Sequence, residues 1–401
     1  MCDPFLTIIP FVRSLRAWFQ LDRTGKEDRN TAALSLVEFA ALCLLGVMIL
    51  LSPLRTKWNP VNDFTGFWIG GKLLGTPWLY DIPSNLALQK LLTGDTSSGV
   101  IYVRPPFFAA VVKPFTGMPY ATALLFWRIV ILAAWAGFAV VFPLGRRRYT
   151  VLAVCWSVLV PVTVVFGNDV PIVLLLTALS LVCWKRERPL LAGVMLGLCL
   201  AKFHFLVFLP LLLFQRRHRR VLAGFAGVAA VCIAINCLVQ PDWLPLYWKA
   251  LNMPQPNMNA RASLMPNFYA SFYWTGHPAL GVAAGALIVG TVLRSICRRF
   301  CFEVALPFCI LGGALVSPHT THLDGVLAIP ALLVAAHRLP EVAVAVSVLL
   351  SPVAALLYCV GPPSLGPALF VGGCLMVMAR ISASGAMPAA VKSALSPVPV
   401  P

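Results

Sequence analysis

The stretch Arg216-Arg217-His218-Arg219-Arg220-Val221-Leu222-Ala223-Gly224-Phe225-Ala226-Gly227-Val228-Ala229-Ala230-Val231-Cys232-Ile233-Ala234-Ile235-Asn236-Cys237-Leu238-Val239 decides the fold. The run 221–239 carries no charge. Wound as a helix at ~1.5 Å per residue it reaches about the thickness of a bilayer's hydrocarbon core. The arginines ahead of it are the kind of cluster that stays on the cytoplasmic side of a membrane. The same unit recurs: basic clusters at Arg146, Arg147 and Arg148, at Lys185, Arg186 and Arg188, and at Arg294, Arg298 and Arg299 punctuate further apolar runs.

Composition agrees. The 401 residues are 59% hydrophobic and 11% charged, and the mean hydropathy is +0.85; soluble domains sit near ~45–50% apolar and ~25% charged. One soluble core cannot hide that much apolar surface, so the chain reads as a polytopic integral membrane protein. A β-barrel does not fit, because the apolar runs are continuous rather than alternating. The net charge of +17 would suggest nucleic acid in a soluble protein, but here it lies in the punctuating clusters, and no nucleic-acid partner is expected. The 12 cysteines form no CxxC pair and mostly lie inside apolar runs, where they act as small hydrophobes.

Alternating crossings give an explicit map of about twelve transmembrane helices. A cytoplasmic segment 1–31 precedes a first span at 32–51, and an outer loop follows at 54–119. Spans then fall at about 120–143, 149–166, 170–184, 189–203, 205–214 and 221–239. A second outer loop covers about 240–278, and further spans lie at 279–293, 303–316, 325–336, 341–358 and 365–380. The membrane domain is bounded at 32–381, with a disordered cytoplasmic tail at 382–401. On this map every multi-basic cluster is inside. Asp63, Asp81, Asp95, Asp169, Asp242, Asp324, His277, His319 and His322 are all outside. A transporter keeps ionisable groups near the bilayer midplane; this chain has few there, so its chemistry is expected at the outer membrane–water boundary.

Asp63 precedes Phe64, Phe67, Trp68 and Ile69, which reads as an N-cap on a short amphipathic helix lying in the interface. A carboxylate held there can serve as a cap, as a base, or as both. Asp81, after Pro77 and Tyr80, reads as a cap or turn. The diproline Pro105-Pro106 starts a second apolar run too short to span, expected as another interfacial helix. Two such elements would roof a lateral opening suited to a substrate with a hydrocarbon tail.

These features resemble the polyprenol-phosphate-sugar-dependent glycosyltransferases of the GT-C class, most closely glycosyltransferase family 87, which includes mannosyltransferases. The resemblance rests on Asn62-Asp63-Phe64, Gly75-Thr76-Pro77-Trp78-Leu79-Tyr80-Asp81, Tyr102 with Pro105-Pro106, Gly167-Asn168, Lys202 ahead of Phe208-Leu209-Pro210-Leu211-Leu212, and Ser317-Pro318-His319. Phe203-His204 stands where the family usually has a proline after the lysine. The resemblance implies an all-α GT-C-type bundle and transfer of a hexose, mannose first, from a polyprenyl-phosphate donor. The acceptor would be a glycolipid, glycan or protein on the periplasmic or extracellular face of a bacterial cell membrane, with both termini cytoplasmic. It also implies that Asp63 is the general base of a single inverting displacement.

The leaving phosphate needs positive or hydrogen-bonding groups, and Lys202, His204, Arg104, Arg261, His319 and His322 are the candidates. An intramembrane lysine is costly, so Lys202 is either functional or snorkels to the nearby interface. His319 and His322 share a face if helical and can hold phosphate or orient the acceptor, or as a pair bind a metal. Asn168 and Asp169 are acceptor or phosphate contacts, Asp169 alternatively an N-cap. Tyr102, Asn267 and Tyr269 are candidates for the sugar subsite, the alternative for the second-loop residues being an aromatic belt. The sequence has no HExxH motif and no acidic triad, and no metal or cofactor is expected. Besides donor and acceptor the expected partners are membrane lipids. The competing reading is a lipid or small-molecule transporter or flippase.

Overall fold

A computed structural model describes residues 62–94, 99–144, 150, 153–154, 157, 159–252, 265–350 and 365–384. Among these the regular structure is helical throughout, with no strand. The N-terminal segment, the expected first span at 32–51, Arg261 and the tail beyond residue 384 lie outside the described residues.

The first described helices form the roof: α1 (Asp63–Leu73), α2 (Ile82–Thr93) and α3 (Pro106–Val112), the last running into a 3-10 turn at Lys113–Gly117. The bundle follows with α4 (Tyr120–Val141), α5 (Leu159–Phe166), α6 (Val170–Lys185) and α7 (Pro189–Leu198). A 3-10 stretch at Cys199–Leu206 and the short α8 (Leu209–Leu213) lead to α9 (Arg219–Val239). α10 (Trp243–Asn252) and α11 (Phe268–Ser271) belong to the second loop. The chain continues through α12 (Pro278–Arg299), α13 (Phe302–Val316), a 3-10 turn at His322–Leu327, α14 (Ala328–Arg338), α15 (Ala343–Leu350) and α16 (Leu365–Ser384).

Among the described residues, five helical segments are long and apolar enough to cross a membrane: Tyr120–Val141, Pro189–Leu206, Arg216–Val239, Pro278–Arg299 and Leu365–Ser384. A sixth is obtained if α5 and α6, bent by 116° at their junction, count as one span. The chain is therefore a multi-pass membrane protein. Three further expected spans coincide with shorter pieces, and the expected span 341–358 lies within the described residues only to residue 350. Span 205–214 is a 3-10 turn plus the α8 helix, 303–316 is the 15-residue α13, and 325–336 begins as a 3-10 turn before α14.

The physical division is plain from exposure. α4, α9 and α12 leave large apolar side chains outward, among them Leu125, Phe126, Ile129, Val231, Ile233, Leu238, Leu287 and Ile288, as expected where lipid is the solvent. α13 is buried along its length and forms the axis of the bundle. α7 and α9 approach closely because they meet through glycines. A Cβ on Gly193 would lie 1.9 Å from the Val221 carbonyl oxygen, and one on Gly224 2.1 Å from that of Leu190. Small residues permit this backbone contact in apolar surroundings.

Contacts place Lys185, Arg217, Arg299 and Arg338 together at one end; Arg146, Arg147 and Arg148 lie outside the described residues. Lys185 donates to the Pro143 carbonyl at the close of α4. Arg217 donates to the carbonyls of Cys297 and Phe300 at the close of α12, and Arg299 to that of Ser382 in α16. Arg338 lies over the Phe300 ring, and Trp184 packs on Phe302. These are the cationic ends of α6, α9, α12, α14 and α16. The opposite ends of α6 and α14 carry the site described below.

The roof itself corrects one expectation. α1 does not lie on an interface: Phe64 through Gly71 are all buried, enclosed by α3, the following 3-10 turn and α4. Phe64 stacks on Tyr120 and Trp127, and Phe67 packs edge-on to Phe108. The α3 helix is where the diproline predicted one. Asp81 caps α2 through Ser84.

Candidate active site

The site begins at the first turn of α1. Asn62, not Asp63, caps this helix: its side chain accepts the Thr65 N–H at 3.2 Å, and Thr65 Oγ1 accepts the Asn62 N–H at 3.2 Å. Tyr120 closes the pair, within 2.7 Å of Thr65 Oγ1 and receiving the Asn62 amide at 3.0 Å. The expected cap role of Asp63 is therefore filled by its neighbour, and Asp63, half-buried, is spared for other contacts.

The contact it makes comes from the bend between α5 and α6. Gly167 takes φ +63°, a left-handed turn that other residues adopt only at a cost, and it reverses the chain beside α1. Trp127 donates its indole N–H to the Gly167 carbonyl at 2.7 Å, and Arg128 donates to that of Val165 at 2.7 Å and 3.2 Å. So fixed, the bend carries Asn168, whose amide nitrogen donates to Asp63 Oδ2 at 2.6 Å. Asn168 Oδ1 accepts the Val170 N–H at 2.9 Å. Asn168 thus supplies the contact to the start of α6 that was expected of Asp169, whose side chain makes no capping bond.

Asp169 faces cations instead. Its Oδ1 lies 3.1 Å from the Arg104 guanidinium and 2.9 Å from Lys202 Nζ. Lys202 Nζ also lies 2.8 Å from Asp324 Oδ1 and 3.5 Å from Asn168 Oδ1. Lys202 is 2% exposed, so the snorkelling alternative is overturned: with two carboxylates at contact distance, the ammonium is held inside. It stands at the break of its span, the one residue of the Cys199–Leu206 stretch with non-helical φ/ψ, a geometry that turns it out of the helix toward the cluster. Asp324 is fixed on its other oxygen by the Thr321 backbone and hydroxyl at 2.6 Å and 2.9 Å. Arg104 spans from Asp169 to the Ala201 carbonyl at 3.3 Å. Four distant stretches, around 104, 168, 202 and 324, meet here.

Asp324 was not singled out from the sequence as a site residue. Its signal was Thr321-His322-Leu323-Asp324, the spacing of a capping box, which the structure forms.

Burial sets the charge state of Asp63. Loss of water pushes its carboxyl up to about 6; the Asn168 bond and Lys202 pull it down, and Asp324 and Asp169 push it up. Desolvation outweighs the hydrogen bond and the cation that oppose it. A carboxylate so poised is ionised at neutral pH yet basic enough to take a proton.

The remaining expected residues divide. His204 and His319 stand with ring centroids 6.5 Å apart, beside the Arg104–Lys202 cations. His204 Nε2 is buried without a hydrogen-bond partner. Burial and Arg104 hold His319 below the ordinary histidine range, so it is neutral at pH 7. His319 and His322 do not share a helical face: His319 lies in the turn after α13, and His322 opens the next 3-10 turn. Among the described residues no three His, Cys, Asp or Glu side chains converge as metal ligands do.

Tyr102, expected at a sugar, is 1% exposed. Its hydroxyl donates to the Pro105 carbonyl at 2.7 Å and its ring stacks on Tyr80, which makes it a strut of the roof. Asn267 is fully buried, donating to the Ser317 carbonyl at 2.7 Å and capping α11 through Ala270. It ties the second loop to the turn that carries His319. Tyr269 is half-buried, 6.2 Å from Tyr273 ring to ring.

Compared with known protein families, the chain matches glycosyltransferase family 87 over residues 102–318. The matched stretch contains Arg104, Asn168, Asp169, Lys202 and His204; Asp63, His319, His322 and Asp324 flank it. No curated protein and no solved structure matches the chain.

Proposed function

The chain belongs to glycosyltransferase family 87, and from that premise we propose that this membrane glycosyltransferase moves a hexose, mannose first, from a polyprenyl-phosphate donor to a lipid, glycan or protein acceptor, with Asp63 as general base. The observation that carries the reading is a half-buried carboxylate with one oxygen engaged by Asn168, set beside cations at the bundle end remote from the arginine clusters.

In this reaction the acceptor hydroxyl gives its proton to Asp63 while its oxygen attacks the anomeric carbon. The carbon–oxygen bond to phosphate breaks, and the polyprenyl phosphate departs with the electron pair. A single displacement inverts the anomeric centre, so a β-linked donor gives an α product. One base suffices for this; a double displacement would require a second carboxylate as nucleophile, and both Asp169 and Asp324 are engaged by Lys202.

The phosphate would be met by Arg104, His204 and His319. Arg104 retains donor capacity beyond its contacts to Asp169 and Ala201, and the unpartnered His204 Nε2 is satisfied by a phosphate oxygen. Lys202, already in contact with two carboxylates, contributes its field and holds the cluster in shape. Tyr269 remains the aromatic surface for the sugar, and His322 a contact for the acceptor. Along the segment that carries Lys202 and His204, Phe203, Val207 and Leu211 remain exposed, apolar surface on which a hydrocarbon tail can lie. In the cell the site would face the periplasm or exterior, with the arginine ends in the cytoplasm as the positive-inside rule requires.

The test is donor competition in proteoliposomes holding the full chain. Label is expected to pass from polyprenyl-phosphate mannose and not from a nucleotide mannose, with inversion seen by NMR of the product. Transfer from the nucleotide sugar alone, or a retained anomeric configuration, contradicts the reading.

A further inference from the structure

The Asn168 amide is oriented without ambiguity. The groups on its Oδ1, the Val170 N–H at 2.9 Å and the Lys202 ammonium at 3.5 Å, can only donate. Oxygen must therefore face them, and the NH2 must face Asp63 Oδ2, 2.6 Å away. The orientation is set by partners on two segments, the α6 backbone and Lys202 at the broken span, and Lys202 is itself held by Asp324. No second partner of the Asp63 carboxylate is seen among the described residues, which leaves Oδ1 for the acceptor hydroxyl.

We infer that Asn168 is a positioning residue: through its amide it holds the Asp63 carboxylate in one rotamer and favours its ionised form, with Lys202 and Asp324 fixing the amide in turn. The inference rests on the reading of Asp63 as base. A hydrogen bond to the charged form of an acid lowers the proton affinity of that acid, and here it opposes the desolvation that raises it. The charged groups acting on Asp63 are Lys202, Asp324 and Asp169 in the ion cluster, with Arg104 behind Asp169; on the neighbouring α4, Tyr120 bonds Asn62 and Thr65 and Arg128 bonds the Val165 carbonyl. Lys72 and Lys113, elsewhere in the roof, are exposed. Among all these, Asn168 is the group bonded directly to the carboxylate.

Asn168 also holds the first turn of α6, so the test must separate tuning from folding. Asn168→Ser keeps a side-chain oxygen able to cap and removes the amide donor. Asn168→Asp is nearly isosteric, also caps, and brings a like charge to Asp63. The readout is difference infrared titration of the full chain in detergent, following the protonated-carboxyl band that is absent from Asp63→Asn. In Asn168→Ser the midpoint of that band is expected to move up by about one pH unit, the shift that corresponds to a tenfold change in ionisation. In Asn168→Asp the acid limb of the transfer rate is expected to move further up, because a second carboxylate adds repulsion.

An unmoved midpoint in folded Asn168→Ser overturns the inference, whatever happens to the rate. Full transfer by Asp63→Asn overturns the base reading instead and leaves the infrared result standing, so the two failures are told apart.

Discussion

Lys202 Nζ lies 2.8 Å from Asp324 Oδ1 across 122 positions of chain. The contact joins the break in the fifth expected span to the turn that opens α14, and Asp169 and Arg104 complete it from the other side. Buried ion pairs add little net stability while both partners are present, but removing one partner leaves an uncompensated charge. Lys202→Met should therefore destabilise the protein by about 3–5 kcal/mol, measured as detergent-solubilised unfolding. Lys202→Met combined with Asp324→Asn should recover part of that loss.

The rate of transfer should fall at acid pH. The base works only when ionised, and burial raises the Asp63 carboxyl to about 6. The group is thus protonated, and the enzyme idle, well below that value. kcat/KM is expected to be level near pH 8 and half-maximal near pH 6. Below that it should drop about tenfold per unit, the slope for one essential proton. A pH profile of initial rates in proteoliposomes checks this; a limb near pH 4, the ordinary carboxylate range, contradicts the burial argument.

Arg104 is placed to hold the departing phosphate. Arg104→Ala should lower kcat/KM by about ten- to a hundredfold, consistent with the loss of a charge-assisted contact. Arg104→Lys should restore only part of it, because one ammonium cannot span Asp169 and the Ala201 carbonyl as the guanidinium does. Initial-rate kinetics with varied donor separates this from a folding defect.

The α7–α9 contact should tolerate no side chain at Gly193. A methyl group there meets the Val221 carbonyl at 1.9 Å, and backbone cannot move aside as a flexible side chain can. Gly193→Ala is expected to cut the yield of monodisperse protein sharply, read by size exclusion of a fluorescent fusion. Gly227→Ala, whose Cβ would meet nothing within 4 Å, is the control expected to behave as wild type.

Much of this was legible in the sequence because the signals were collective. Basic clusters and apolar runs alternate over the whole chain, and contacts gather Lys185, Arg217, Arg299 and Arg338 at one end. Asp63, Asn168, Asp169 and Lys202 were each placed at the opposite end, and the structure joins them. What escaped was pairwise. Asn62 and Asp63 are both good caps, and only Thr65 with Tyr120 decides between them. Tyr102 looked like a ligand for sugar because aromatics in outer loops often are; a hydroxyl bonded to Pro105 is not visible in its neighbours. Asp324 was hidden in a turn whose importance depends on Lys202. Packing of α1 on all sides follows from the roof folding over itself, which no local periodicity announces.

The central claim is that the Asp63 carboxylate takes the acceptor's proton, and Asp63→Asn tests it most directly. Asparagine keeps the size and the helix position but cannot accept a proton from an attacking hydroxyl. With the variant in proteoliposomes at wild-type protein level and labelled polyprenyl-phosphate mannose supplied, transfer is expected to fall by about a hundred- to ten-thousandfold at every pH. Transfer within a few fold of wild type would contradict the account.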